Sequence, residues 1–252
     1  NDYNNQIIID QYFGTFFLRN NTYLSHDQYR DYILNKELKE YWKKKLSLNS
    51  IDLESGGAIP KVNLGKEVSN KIGQTLWDFY MYQMHELKQV QADPHPGNFL
   101  ITKENKLGVI DFGCIKEIPN DFYKPYFNLT QKDILNDPIV FLEHLVELEI
   151  IHESDSDKEK KFFIDMFHEM LSMFALPFQS DKFDFGKTNF LADLAELGNK
   201  YSQSSDLRKL NGNRGSKHLL YMNRTFFGLY SLLNELNATV DILHYKKYIT
   251  EK

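Results

Sequence analysis

The sequence is poor in cysteine, proline and glycine, and each shortage narrows the class of protein. Of 252 residues, one is a cysteine, Cys114, which excludes an internal disulfide and indicates a reducing compartment. With 7 prolines and 13 glycines among regularly spaced aromatic residues, the chain is predicted to be mainly helical. No apolar run approaches the ~18 residues of a membrane span. No signal peptide is visible, although the chain starts at Asn1 and can therefore be a fragment.

Positive charge is also in short supply. The 30 lysines and arginines are outnumbered by 35 aspartates and glutamates, which gives a net charge of -5. A general nucleic-acid binder needs a basic surface to neutralise phosphates, so nucleic acid is not expected as a partner. With 42% apolar and 14% aromatic residues, the chain can instead bury a substantial core.

The spacing of apolar residues predicts the helices. A capping box at 25–28 opens a predicted helix to about residue 48, and the glycines and proline of residues 49–66 predict a loop or linker. A buried helix is predicted over residues 67–89. Further helices are predicted over residues 121–135, 138–152, 158–175, 187–204 and 216–236. Four aromatic residues of the last helix are predicted to belong to the core: Tyr221, Phe226, Phe227 and Tyr230.

Between the buried helix and the later helices lies the stretch VQADPHPGNFLI, residues 90–101. The segments FLIT, KENK and LGVI predict a strand, a polar turn and a second strand. Asn98 begins the first strand and Asp111 follows the second, so antiparallel pairing brings both to one end of a hairpin whose strands lie ~5 Å apart. Asp93 lies in a proline-braced loop at the same end. Asp93, Asn98 and Asp111 are therefore expected to converge, and Gly113 gives the backbone behind Asp111 its freedom.

Carboxylate and amide oxygens on a rigid frame suit a hard cation, and Mg²⁺ is usually held by one or two such groups together with water and phosphates. The spacing is also that of a kinase active site. In kinases an Asp base is followed by an Asn that binds Mg²⁺ and then by Asp-Phe-Gly, whose Asp binds Mg²⁺ as well. Here the corresponding residues are Asp93, Asn98 and the tripeptide 111–113.

The string ADPHPGNFLI…VIDFG resembles the AarF/UbiB family of atypical protein-kinase-like proteins, whose signature is similar to HADPHPGN followed by DFG. The resemblance covers about residues 68–118 and extends more loosely to GSKHLLYMNRTFFGLYSLL, which is similar to the end of bacterial members. It implies a kinase-like C-lobe, mainly α with a small β-hairpin, over residues 67–252. Residues 1–66 would then be an atypical segment, with the N-lobe truncated or absent.

The resemblance also implies the roles of individual residues and the ligands. Asp93 would be the catalytic aspartate, Asn98 and Asp111 would bind the metal, and these two with Gly113 would bind the nucleotide. The implied ligands are Mg²⁺ and ATP or ADP, and the implied activity is that of an ATP-dependent phosphotransferase or ATPase once an N-lobe is supplied.

The family resemblance implies a biological setting too. That setting is isoprenoid quinone biosynthesis or membrane lipid homeostasis, with a membrane surface or a lipid or quinone intermediate as a partner. The implied location is cytoplasmic, with the periphery of the inner membrane as the alternative, in a bacterial protein. The oligomeric state stays open.

Two departures from the family pattern keep other functions open. Gln91 stands where the family usually has histidine, which removes any titratable group at that position. The residues before the buried helix show no Gly-rich loop and no strand lysine of the kinase type, and the K-x-G-Q match at 71–74 is interpreted as a coincidence. The alternatives are a non-catalytic, pseudokinase-type binding module and a small-molecule phosphotransferase of the aminoglycoside or choline kinase type, whose loop H-x-D-x-H-P-x-N is similar.

Overall fold

A computed structural model of the chain describes residues 49–50, 64–101, 107–109, 112, 114–203, 214–243, 245 and 248. The helix predicted over residues 25–48 and most of the loop predicted over 49–66 lie outside these residues. Asp111 and Gly113 lie outside them as well. The described part is mainly helical with short antiparallel strands, as predicted.

Helices form most of the described chain. They are α1 (Lys66–Tyr82), α2 (Asn120–Asn128), α3 (Lys132–Asn136), α4 (Pro138–Glu147), α5 (Asp157–Phe174), α6 (Phe190–Ser202) and α7 (Lys217–Glu235). Helix α1 continues in one wider, π-helical turn at Gln83–Leu87. That turn ends at Lys88, whose left-handed backbone (φ 53°) redirects the chain into a strand. The buried helix predicted over residues 67–89 is therefore confirmed up to this turn.

The strands are short, and all pairs except the β3–β4 hairpin join parts of the chain that are distant in sequence. They are β1 (Asn49–Ser50), β2 (Gln89–Gln91), β3 (Phe99–Ile101), β4 (Leu107–Val109), β5 (Ile115–Glu117), β6 (Lys182–Asp184) and β7 (Thr239–Asp241). Within the described residues they form three antiparallel sheets, ordered β1-β3-β4, β2-β5 and β6-β7. Strands β3 and β4 are the predicted hairpin, with Phe99 opposite Val109. Because β1 pairs with β3, the prediction of a loop is wrong for its first two residues.

The predicted helix over residues 121–135 is wrong, because the chain forms two helices there, α2 and α3. The hydroxyl of the buried Thr130 donates a hydrogen bond to the Phe127 carbonyl (2.7 Å), and the Thr130 amide donates to the same carbonyl (3.1 Å). Such local bonds to a side chain replace the next turn of helix. The chain then restarts at Gln131, whose extended backbone precedes α3.

The helix predicted over residues 138–152 begins as expected but ends five residues early, at Glu147. Glu149 adopts a left-handed conformation (φ 60°), and the Ile150 amide donates to the Leu145 carbonyl (2.9 Å). This is the usual way in which a left-handed residue closes a helix C-terminus. The other three predicted helices agree with α5, α6 and α7 to within a few residues.

The core is built around α1 and α7 and is rich in aromatic rings. Phe226 and Tyr230 of α7 are fully buried, as predicted. The ring of Phe226 contacts four rings from other elements, those of Tyr126, Phe127, Phe174 and Phe178. Phe227, in contrast, is 43% exposed, so the prediction that it belongs to the core is wrong. It follows Phe226 directly on the helix and therefore points about 100° away from the buried face.

The K-x-G-Q match lies in α1 and packs against β7. Gln74 donates to the Asp241 carbonyl (3.1 Å) and accepts from the Asp241 amide (2.7 Å). A Cβ added at Gly73 would overlap that of Ala238, so the glycine permits close approach of the helix to the chain before β7. These contacts give Gly73 and Gln74 a packing role between α1 and β7, and the interpretation of the match as a coincidence stays a prediction.

Candidate active site

The loop between β2 and β3 carries the predicted catalytic aspartate, Asp93, and is held at both ends. On the β2 side the Ala92 amide donates to the Cys114 carbonyl (2.8 Å), which extends the pairing of β2 with β5. Within the loop, the His95 amide donates to the Asp93 carbonyl (2.7 Å) and the Asn98 amide donates to the His95 carbonyl (2.9 Å). The two prolines of the loop fix its φ angles as well. The backbone that presents Asp93 is thus well determined.

Asn98 lies where the loop enters β3, and its side chain is turned back toward Asp93. The side chain is buried, and Nδ2 donates a hydrogen bond to the Asp93 carbonyl (3.0 Å). Since the amide nitrogen points to that carbonyl, the amide oxygen Oδ1 points away from it. An oxygen so oriented can serve as a ligand for a hard cation. The structure therefore brings Asp93 and Asn98 together, as predicted.

The carboxylate of Asp93 contacts a residue that the sequence did not point to. Arg224, on α7, donates from Nη2 to Oδ1 of Asp93 at 3.0 Å. Both side chains are largely open to solvent, at 67% and 42% exposure for Arg224 and Asp93. The two residues are 131 positions apart, and the stretch around Arg224 that resembles the end of bacterial family members does not indicate a contact with Asp93. Only the folded chain reveals this pair.

Gln91, at the position where the resemblance leads us to expect histidine, is at the centre of a buried network. Its Nε2 donates to the Asp93 carbonyl (2.7 Å), and its Oε1 accepts from the Tyr80 hydroxyl (2.8 Å). Its backbone amide donates to Oε1 of Gln83 (3.0 Å). Burial, and secondly the charge of Asp93, raise the pKa of the Tyr80 phenol well above its usual value, so Tyr80 remains a donor. A neutral imidazole offers the same pair of one donor and one acceptor. Gln91 therefore offers the one donor and one acceptor that a neutral histidine would offer, without a titratable group.

Pro94, next to Asp93, packs directly on helix α7. A Cβ added at Gly228 would overlap Pro94 Cγ and would lie 3.1 Å from Pro94 Cβ. Gly228 is one helical turn beyond Arg224, so both face the loop from the same side of α7. This contact could not be predicted from the sequence, because a glycine inside a helix is not by itself a sign of a site.

The metal part of the predicted site is described only in part. Asp111 and Gly113 lie outside the described residues, so their convergence with Asn98 stays a prediction. Among the residues that are described, no three His, Cys, Asp or Glu side chains come close enough to hold a metal ion. The amide oxygen of Asn98, together with the carboxylate predicted at Asp111, is the kind of oxygen donor set that Mg²⁺ accepts. The donor chemistry thus fits the predicted cation.

None of the helices within the described ranges combines the length and the apolar character needed to cross a membrane.

Residues 52–143 match the ABC1 atypical kinase-like domain. A chloroplast protein of Arabidopsis thaliana, ACTIVITY OF BC1 COMPLEX KINASE 3, is 34% identical over 98 residues, which are 38% of this chain and 12% of that protein. The mitochondrial atypical kinase COQ8B of Danio rerio is 27% identical over 127 residues, 50% of this chain and 20% of that protein. The chain thus spans at most about a fifth of the length of these curated relatives.

A solved structure is similar as well. The complex of Rv3197 with erythromycin from Mycobacterium tuberculosis superposes with a TM-score of 0.53 at 20% sequence identity, covering 77% of this chain and 47% of that one. This likeness shows the fold alone. It confirms the predicted kinase-like fold, and the match over residues 52–143 confirms the family resemblance drawn from the ADPHPGN and DFG signatures.

Proposed function

We propose that this chain, whose residues 52–143 match the ABC1 atypical kinase-like domain, binds ATP with Mg²⁺ and transfers or hydrolyses the terminal phosphoryl group. The observation that carries the proposal is the loop before β3. It holds Asp93 and Asn98 together through the bond from Asn98 Nδ2 to the Asp93 carbonyl (3.0 Å). This is the spacing and the order of the kinase catalytic loop.

In the proposed reaction, Asp93 is the residue that handles the acceptor. Its partly exposed carboxylate orients the hydroxyl or water that attacks the terminal phosphorus and accepts the proton as the new P–O bond forms. ADP leaves as the bond from the β,γ-bridging oxygen to phosphorus breaks. Gln91 and Asn98 keep Asp93 in place by holding its carbonyl from two sides. Their contribution is orientation, which is a large part of catalysis in phosphoryl transfer.

The cation would be held by Oδ1 of Asn98 and by the carboxylate of Asp111. When bound, Mg²⁺ neutralises charge on the phosphate oxygens. Nucleotide affinity is therefore expected to depend on the cation and on both residues.

The test is nucleotide binding by the full-length protein that contains this chain, with and without Mg²⁺. We expect Mg²⁺-dependent binding of ATP that is lost in Asp111→Ala and strongly weakened in Asn98→Ala. Asp165→Ala is the control, because it removes an exposed aspartate of α5 that pairs with Lys161 on its own helix. If wild-type protein shows no Mg²⁺-dependent binding, the proposal is refuted.

Two further functions would give different results in the same experiment. A non-catalytic module that kept the kinase-like fold would show no thermal shift with Mg-ATP. A small-molecule phosphotransferase would turn over amino alcohols or aminoglycosides. The fold neighbour with a bound antibiotic makes a small-molecule acceptor worth including, although that likeness concerns the fold.

For the setting in the cell, we propose isoprenoid quinone biosynthesis or membrane lipid homeostasis at a membrane surface. The family resemblance supports this part of the proposal. Deletion of the gene, followed by measurement of cellular quinones and membrane lipids, tests it. Unchanged quinone and lipid levels would contradict it, whatever the outcome of the nucleotide-binding experiment.

A further inference from the structure

The positively charged side chain next to the Asp93 carboxylate is that of Arg224, which lies far from Asp93 in the sequence. Nη2 of Arg224 lies 3.0 Å from Oδ1 of Asp93, and this single contact uses one of the five N–H donors of the guanidinium group. No lysine or arginine occurs between Gln89 and Ile101, the stretch that forms β2, the loop and β3. Positive charge beside Asp93 is therefore supplied by α7 and not by the loop itself.

The position of Arg224 is set by the packing of α7 and not by the ion pair. One turn further along the helix, Gly228 lets Pro94 approach so closely that a Cβ would overlap its ring. Phe226, between the two, is fully buried in the core. The helix backbone is thus fixed against the loop at the residue next to Asp93. The base of the Arg224 side chain is fixed with it.

The end of the Arg224 side chain, by contrast, is held weakly. Exposed ion pairs contribute little to stability, because water competes for both charges and a long side chain must be ordered. With 67% of the Arg224 side chain exposed, the guanidinium group can exchange Asp93 for another anion at small cost. Planar guanidinium groups bind phosphate oxygens particularly well, often through two parallel hydrogen bonds.

We propose that Arg224 is a phosphate-contacting residue of this site. Without nucleotide its guanidinium group pairs with Asp93, and with nucleotide it binds the terminal phosphate of ATP. This inference rests on the proposed function. The transferred phosphoryl group must lie beside the acceptor that Asp93 orients, and Arg224 already contacts Asp93. In other phosphotransferring proteins, an arginine supplied in cis stabilises the charge of the transferred group in the same manner.

The experiment compares two nucleotides and not only two proteins. Affinities of the full-length protein for ADP and for a non-hydrolysable ATP analogue are measured by calorimetry in the presence of Mg²⁺. A residue that contacts only the terminal phosphate affects the ATP analogue and leaves ADP unchanged. A residue that merely supports the loop affects both nucleotides to a similar extent.

For Arg224→Gln we expect binding of the ATP analogue to weaken about tenfold or more, as for the loss of a hydrogen bond between charged groups, while ADP binding stays within about twofold. Arg224→Lys keeps the charge and is expected to recover part of the loss. Lys161→Gln is the matched control, since it removes one positive charge from an exposed pair with Asp165 on α5. It should change neither affinity.

The possible failures are distinguishable. If wild-type protein binds both nucleotides and Arg224→Gln weakens them equally or not at all, the inference about Arg224 is overturned while the proposed function stands. If wild-type protein binds neither nucleotide, the proposed function is overturned and the inference with it. Thermal unfolding of each variant should give the wild-type midpoint, since the pair is exposed. A large decrease for Arg224→Gln would mean that the residue is structural.

Discussion

The contact between Gly228 and Pro94 predicts that Gly228→Ala changes the free energy of unfolding through two opposing effects. Replacing Gly228 by alanine in the middle of α7 improves helix propensity, which stabilises the fold by about 1 kcal/mol. The new Cβ would also overlap Pro94 Cγ and lie 3.1 Å and 3.4 Å from Pro94 Cβ and Cδ. Overpacking of this kind costs about 1–3 kcal/mol. The expected net change is a loss of about 0–2 kcal/mol.

The same substitution elsewhere in the protein isolates the steric effect. A Cβ added at Gly198 of α6 would meet no other atom within 4 Å, so Gly198→Ala should show helix propensity alone. We expect it to stabilise the protein by up to about 1 kcal/mol. The two free energies of unfolding are measured by urea denaturation, with the slope of each transition compared to wild type.

Gly228→Ala should also disturb the site, because Pro94 precedes the loop turn and follows Asp93. The affinity for Mg-ATP should decrease in Gly228→Ala and stay at the wild-type value in Gly198→Ala. If Gly228→Ala is stabilised as much as Gly198→Ala, the loop at Pro94 can shift to accommodate the new Cβ without loss of stability. The idea that α7 fixes the loop would then be refuted.

Three other perturbations test the surrounding structure. Asp155→Ala should lower the free energy of unfolding in urea by about 3–5 kcal/mol, because it leaves the buried guanidinium of Arg214 without its carboxylate partner. In the wild type, Nη1 of Arg214 lies 2.5 Å from Oδ2 of Asp155. The control Asp165→Ala, which removes an exposed pair, should cost no more than about 1 kcal/mol. The hydrogen bond from Arg214 lowers the pKa of Asp155. This stabilisation is therefore complete above the unfolded-state pKa of about 3.9 and is lost as the pH falls from there through the lower folded-state pKa. If the stabilities of wild type and Asp155→Ala decline in parallel from pH 7 to 3, this reasoning is contradicted. Tyr80→Phe should cost about 1–3 kcal/mol because Gln91 Oε1 loses its buried donor, and an unchanged unfolding midpoint would count against the network. Gln91→His should fold normally at pH 8 but lose stability relative to wild type as the pH falls below about 6.5, since a protonated imidazole can no longer accept from Tyr80; a thermal-shift series across pH that is the same for both proteins would refute this.

The hairpin and the loop could be predicted because their signals are local. Alternating apolar residues around a polar turn indicate β3 and β4, and the structure pairs them as expected. The place of Asn98 then follows, because it directly precedes Phe99, the first residue of the hairpin. Its convergence with Asp93 required only the short loop between them, which two prolines constrain.

The features that could not be predicted depend on contacts between distant parts of the chain. Strands β6 and β7 are three residues each and pair across α6 and α7, so neither carries a local pattern that stands out. The break between α2 and α3 depends on where one threonine hydroxyl finds its acceptor. Arg224 reaches Asp93 over 131 positions, and an arginine on a helix gives no indication of what its end will contact.

Gln91 shows the same limit from the opposite direction. In the sequence it is a departure from the family pattern and weakens the resemblance. In the structure it bonds Tyr80 and the Asp93 carbonyl, the two partners that keep the loop in place. The sequence shows that the Gln91 side chain has one donor group and one acceptor group. Only the structure shows that the donor bonds the Asp93 carbonyl and that the acceptor bonds the Tyr80 hydroxyl.

Strand β1, which lies outside the matched domain, can report whether nucleotide is bound at the site. Asn49 and Ser50 pair with Ile101 and Leu100 of β3, the strand that begins directly after Asn98. The family match starts at residue 52, so these two residues precede it. A ligand that steadies β3 should also slow the exchange of amide hydrogens with deuterium in a peptide covering residues 49–50. Mass spectrometry of that peptide would therefore follow nucleotide occupancy without a label at the site.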